Sequence, residues 1–400
     1  MKWEKIRLSD CTVYITDGDH QPAPKSESGI KFIKIKDIQN GRISFDANLF
    51  VPIEYYNNLP AERKPQQNDI LYSVVGSYGQ AAFVNTCEPF CFERNIALLH
   101  PGKNIVPRFL FYAISSTDFF LQASNAAIGA AQKLISLSRL KNMVIPYPPI
   151  ELQGRIADIL SAYDTLIENN RKQIKLLEEA AQRLYREWFV DLRFPGYEHT
   201  KITDGVPEGW EKCSLGDVIK FDPKVQLAKD RVKQFVPMSA LSTSSMVLDM
   251  AEFREITSNS GSKFQNDDTL LARITPCLEN GKTAFVHGIQ SPEGAVGSTE
   301  YIVMRSKRLN PYMVYLHART DGFRQSAINS MSGSDGRQRV KADKLKALSY
   351  LLPPATLVNQ FGQVAAPIFE LVFDLNEQTF QAAQARDHLL PKLMSGEVEV

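Results

Sequence analysis

The chain repeats itself, and this limits what it can fold into more than any single motif does. Trp3-Glu4-Lys5-Ile6-Arg7-Leu8-Ser9-Asp10 matches Trp210-Glu211-Lys212-Cys213-Ser214-Leu215-Gly216-Asp217, with five of the eight positions identical. Further along, Asn68-Asp69-Ile70-Leu71 parallels Asp267-Asp268-Thr269-Leu270, and Gly79 with Ala82-Phe83-Val84 parallels Gly281 with Ala284-Phe285-Val286. Pro148-Pro149 parallels Pro353-Pro354. The offset drifts only between about 199 and 207, so the 400 residues are two copies of one unit of roughly 200. A period this long makes a duplicated domain, not a solenoid. Two equivalent domains can read two equivalent things.

Each copy has a mixed part of about 145 residues followed by a helix. The mixed part carries strand-like runs, such as Ile30 to Ile35 and Asp69 to Val75, punctuated by Gly and Pro. A helical stretch is expected from Pro107 to Asn125. The helix of the first copy has an apolar seam at Leu152, Ile156, Ile159, Tyr163, Leu166, Asn170, Ile174, Leu177, Ala181, Leu184 and Trp188. Its 3-4 spacing with one extra step of 4 is a heptad pattern with a stutter. The second copy repeats it at an offset of 205, from Leu357 through Leu371, Thr379 and Arg386 to Leu393. Pro367 should kink or split this second helix, and Pro391 should start a short final turn. Two such helices can bury their stripes on each other as an antiparallel pair. At ~40 residues each would be ~60 Å long, enough to hold two domains at a set distance.

The expected fold class is therefore α/β (mixed α+β): two globular domains joined by two long helices in an antiparallel coiled coil. The expected boundaries are domain one at 1–148, a central helix at 149–190, a linker at 191–209, domain two at 210–352 and a C-terminal helix at 353–400. The linker region includes Trp188, Phe189, Leu192 and Phe194, too apolar for a solvated tether. They suit either docking of the second domain or a partner-protein surface.

Composition narrows the function. With 46 Lys+Arg against 45 Asp+Glu the net charge is +1, so a nucleic-acid surface has to be local. The polar start and the lack of a run of ~18 apolar residues predict no signal core, no membrane span and a cytoplasmic location. Five cysteines in a long chain suit a reducing compartment. Catalytic motifs are incomplete. Asn310-Pro311-Tyr312-Met313 lacks the second proline of an adenine methyltransferase loop, and Gly281-Lys282-Thr283 has Pro276 where a phosphate-binding loop needs glycine. Cys87, Cys91 and His100 have no counterparts in the second copy, so no metal site is expected, and no cofactor either.

The order of several segments resembles the specificity subunits of type I restriction–modification enzymes. Asp17-Gly18-Asp19-His20-Gln21-Pro22 with Gly29-Ile30-Lys31-Phe32-Ile33 looks like the opening of that family's target recognition domains. Asn68-Asp69-Ile70-Leu71 with Gly76 and Gly79, and Asp268 to Pro276, look like its central strand and turn. Leu177 to Gly196 resembles its central helix and exit, and Arg386-Asp387-His388-Leu389-Leu390-Pro391-Lys392-Leu393-Met394-Ser395-Gly396-Glu397 resembles its C-terminus.

The resemblance implies a non-catalytic DNA-specificity subunit. Each domain would read one half of a split double-stranded site. Two methyltransferase subunits would dock through the helices, and two restriction–translocase subunits would join them. Adenine-N6 methylation and ATP-dependent cleavage would belong to those partners. Loop residues after the repeated strands are the DNA-contact candidates: Tyr78, Gln80, Gln132 and Lys133 in domain one, and Arg273, Asn280, Lys282, Ser334, Arg337, Gln338 and Arg339 in domain two. His20 and Lys25 are weaker candidates. Leu177, Leu184, Trp188, Phe189, Leu389 and Leu393 are the partner-contact candidates. The competing reading is a protein-interaction scaffold that touches no DNA.

Overall fold

A buried aspartate opens the central strand of both copies, and its partners show how one fold is kept with different residues. The computed structural model describes residues 3–46, 48–129, 133–229, 231–334 and 336–398. It divides into two compact units, Met1–Ile167 with Gln381–Val400, and Glu168–Phe380. In the first unit, strands β1 (Thr12–Asp17), β2 (Ile70–Ser73), β3 (Ala81–Phe83) and β4 (Ile96–Pro101) form an antiparallel sheet of order β1-β4-β2-β3. In the second, β5 (Ile219–Phe221), β6 (Thr269–Ala272), β7 (Thr283–Phe285) and β8 (Tyr301–Ser306) give the same order, β5-β8-β6-β7. Every residue of β2 and β6 is buried, which suits the short apolar runs that form them.

The turns before these strands are the same turn. Asn68 (φ 75°) and Asp267 (φ 71°) are left-handed, as Asn and Asp tolerate. Next to them, Asp69 accepts from the Gln66 amide at 2.7 Å and Asp268 from the Gln265 amide at 2.8 Å. Each carboxylate then needs a cationic or donor partner. His100 Nδ1 supplies it to Asp69 at 2.6 Å; Arg305 supplies a two-pronged pair to Asp268 at 2.6 and 2.7 Å. Burial pushes the Asp69 carboxyl above its ordinary range, and the Gln66 and His100 hydrogen bonds work against that shift.

A second small sheet in each unit sets one parallel strand pair: Ile30–Ile33 on Phe90–Phe92, and Lys233–Val236 on Ala295–Gly297. The first strand of each copy pairs with the last, Lys5–Arg7 with Val144–Pro146 and Glu211–Ser214 with Ser349–Leu352. The stretch from Pro107 is two helices, Pro107–Ile114 and Thr117–Ala126. Ser116 breaks it, because its side chain caps the second helix by accepting from Phe119 N.

The two long helices are α1 (Ile150–Phe189) and α2 (Ala355–Ser395), and each unit holds a part of both. In the second unit Asn170 meets Gln378, while Phe361 meets Tyr185, Trp188 and Phe189, so the helices run antiparallel. In the first, Asp164 meets Arg386 at 2.6 Å, and Leu393 shares a core with Ile156 and Leu160.

The buried stripe departs from the sequence pattern by one residue at several places in each helix. Leu166 is 37% exposed whereas Ile167 is 2% exposed; Leu371 is 44% exposed whereas Val372 is buried. Polar partners explain part of the shift. Asp164 sits in the stripe to receive Arg386 and the Tyr112 hydroxyl at 2.6 Å, and a pattern of apolar residues does not register such a position. The helix α2 is continuous through both prolines, so of the kink or split expected at Pro367 the split does not occur, and Pro391 starts no fresh turn. Both prolines are exposed, so the carbonyls freed by their missing N–H can turn to water. Buried Phe361, Ala365 and Phe369 hold the packed face.

One histidine makes this packing pH-sensitive. His317 lies among Tyr185, Tyr350 and Phe323, with Tyr185 Oη 3.2 Å from its Nδ1. Desolvation there pushes the imidazole down to about 4 from 6.5. As pH falls below 6.5, the unfolded chain takes up a proton that the folded chain refuses until about 4. The contribution is therefore complete above pH 6.5 and is lost between 6.5 and about 4, by up to ~3 kcal/mol. Urea melts of the wild type and His317→Gln at pH 7.5 and 4.5 should show a smaller acid loss for the variant. Equal losses would refute the assignment.

Candidate nucleic-acid interface

The turn that leaves each central strand is met by the same two partners in both units. In the first unit, Ser73 at the end of β2 folds the turn onto itself: its Oγ donates to Ser77 O at 2.8 Å and accepts from Gln80 N at 2.9 Å. Gly79 needs its left-handed φ of 91°, and a Cβ there would strike the Phe120 ring at 2.6 Å. Tyr78 stacks parallel on Phe120 at 6.0 Å, while Gln80 is exposed. The segment before the next short helix then pairs with this turn. Gly76 N donates to Lys133 O at 3.0 Å and Ile135 N to Val74 O at 2.9 Å, with bridges Val75–Leu134 and Ile128–Leu134. From the other side Val74 N donates to Asn95 O at 2.9 Å, which brings in exposed Arg94. Gln132 lies outside the described residues.

The second unit repeats the backbone bonds between these segments. Arg273 N donates to Glu300 O at 2.9 Å, Val340 N to Arg273 O at 2.9 Å and Thr275 N to Gln338 O at 3.1 Å, with bridges Ile274–Arg339 and Ser332–Arg339. Val74 thus corresponds to Arg273, Asn95 to Glu300, Leu134 to Arg339 and Ile128 to Ser332.

The candidates fare differently. Tyr78, Gln80 and Lys133 converge on one turn; Arg273, Asn280, Lys282, Ser334, Arg337, Gln338 and Arg339 converge on the other. Their charges are not equally available. Arg339 grips Glu300, with Nε at 3.0 Å from both carboxylate oxygens and Nη2 at 2.7 Å from one. Those hydrogen bonds hold the Glu300 carboxyl below its usual range. Lys282 Nζ donates to Met238 O at 2.8 Å. Arg337, Ser334 and Asn280 are exposed, and Arg337 has no ion pair among the described residues. His20 and Lys25 line a cavity of about 400 Å³ with Tyr55, Arg94 and Asn95. Asp19 in its wall is already held by Tyr55 Oη at 3.0 Å and Arg63 at 3.2 Å. Arg94 and Leu134 escaped the sequence reading because only strand pairing brings them to the turn.

A family model described as type I restriction modification DNA specificity domain matches residues 1–179. The chain is similar along its length to the specificity subunits of type I restriction enzymes. The MjaIX specificity subunit of Methanocaldococcus jannaschii is 26% identical over 328 residues, 78% of this chain and 74% of that one. The HindI specificity subunit of Haemophilus influenzae is 20% identical over an alignment covering 99% of each chain. The EcoEI specificity subunit of Escherichia coli is 29% identical over 198 residues, 48% of this chain but only 33% of that one. A crystal structure of a type I restriction–modification S subunit from M. genitalium shares the fold, with TM-score 0.61 at 15% identity over 98% of this chain and 96% of that one.

Of the six expected partner contacts, five are half-buried and Leu393 is buried. Leu177, Leu184, Trp188 and Phe189 pack against the second unit's core, Leu389 packs against the first unit's, and Leu393 is buried in it. Packing within the chain thus covers part of their apolar surface and leaves part of five of them exposed. Among the described residues no cluster of His, Cys, Asp or Glu could hold a metal ion, and no helix is long and apolar enough to cross a membrane. The five cysteines are free thiols.

Proposed function

We propose that each unit reads one half of a bipartite duplex site through the three-loop face just described, and that the chain performs no chemistry itself. The observation that carries this reading is the repetition of that face. The same backbone bonds recur in both units, yet the side chains presented differ. A conserved frame with exchanged side chains suits two modules that read different sequences. Exposed Lys133, Arg94 and Arg337 would hold phosphates, and exposed Gln80 and Asn280 have amides that suit base edges. The small net charge agrees with a positive surface confined to these loops.

Two methyltransferase subunits would supply adenine-N6 methylation, and two restriction–translocase subunits would supply ATP-driven cleavage. Exposed helix residues such as Leu176 and Val364 in the second unit offer them an apolar footing beside the half-buried candidates.

The test uses the chain assembled with its methyltransferase subunits on duplex carrying the motif it methylates. Arg337→Ala should weaken binding by roughly 1–3 kcal/mol if it contacts a base, or lower the salt slope by about 1 if it contacts a phosphate. Arg339→Ala should cost less, since Glu300 already neutralises that guanidinium. Binding unchanged in affinity and salt slope for Arg337→Ala would remove this loop from the site. An assembly that never retards duplex would favour the scaffold reading.

A further inference from the structure

The bridges that build the interface place three side chains in a row on one face of each unit. Bridge partners lie directly opposite one another and point to the same side. In the second unit the row is Ile274, Arg339 and Ser332; in the first it is Val75, Leu134 and Ile128. Val75 leans on the core, but Leu134 is 39% exposed and Ile128 48% exposed. The polar pair Arg339–Glu300 of one unit is thus replaced in the other by Leu134 beside Asn95. The first unit keeps exposed Lys133 and Arg94 around this apolar row. Charges at the rim with apolar side chains between them suit a polyanion whose reachable edge has an apolar spot. In the major groove of duplex DNA, the only apolar group an unmodified base presents is the thymine methyl.

We propose that Leu134 and Ile128 are specificity-determining residues of the first unit and that they pack on the 5-methyl group of a thymine in its half-site. The second unit, with Arg339, Glu300 and Ser332 in the matching places, makes no such contact. The inference rests on the proposed DNA-reading function and adds a recognised chemical group to it.

The experiment replaces each thymine of the methylated motif, one at a time, with deoxyuridine, which removes the methyl and leaves base pairing intact. Binding is measured for the chain assembled with its methyltransferase subunits. At one or more positions, all within one half-site, the wild type should lose about 4-fold in affinity, the worth of one buried methyl group. Leu134→Ala should bind thymine and deoxyuridine there equally, with Ile128→Ala as a second variant. Both positions are exposed, and thermal melts confirm that the variants fold. Two outcomes would overturn the inference while leaving DNA reading intact: no deoxyuridine sensitivity that Leu134→Ala removes, or a Leu134→Ala chain that loses its methyltransferase subunits instead. Failure of the wild type to bind the unsubstituted motif would overturn the underlying function as well.

Discussion

Arg305→Ala should destabilise the second unit by about 3–5 kcal/mol, the usual result of stripping one partner from a buried ion pair. Asp268 is 1% exposed, and among the described residues the other hydrogen bond to its carboxylate comes from the Gln265 amide. Without the guanidinium, the carboxylate must stay charged out of water or take a proton; both are costly. The pair is not the only stable solution for that site. Asp268→Leu combined with Arg305→Met should recover most of the loss, because matched apolar residues carry no desolvation penalty. Urea unfolding of the three variants checks this. Arg305→Ala within 1 kcal/mol of the wild type would mean that the pair is solvated in practice. The first unit offers an internal contrast, since His100 stands where Arg305 does and stacks on Tyr14 at 4.8 Å.

Phe361→Ala should cost about 3–5 kcal/mol, from lost transfer energy and the cavity left behind. The ring is fully buried in α2 and touches three aromatics of α1: Phe189 at 5.0 Å, Trp188 at 5.6 Å and Tyr185 at 6.0 Å between centroids. The loss should appear first in Trp188 fluorescence, because the indole loses its neighbour while the first unit is untouched. An unchanged melting midpoint with unchanged tryptophan emission would show that this helix contact is dispensable. Chains with two units need not unfold in one step, so the transition reported by Trp188 is the one to compare.

Much of this architecture was legible because duplication leaves its mark at the positions that build the frame. Asn68-Asp69 and Asp267-Asp268 align in sequence because each must form a left-handed turn and place a buried carboxylate. The helices were legible because apolar residues recur every three or four places. What stayed hidden was the polar traffic across long sequence gaps. Arg339 reads as a basic loop residue until Glu300, 39 residues away, is folded onto it. Asp164 reads as surface charge until Arg386 and Tyr112 reach it. The one-residue shift of the buried stripe at Leu166 and Leu371 is of the same kind. Leu134 shows the converse, an apolar residue that counts as core in any pattern and yet lies exposed beside the candidate interface.

The most direct test of two modules each reading DNA is to sequence methylated adenines genome-wide in a host carrying this chain and its methyltransferase. The account predicts one motif made of two different short half-sites separated by unread bases, and the motif should vanish when the chain is deleted. A single uninterrupted motif, or methylation that persists without the chain, would contradict it.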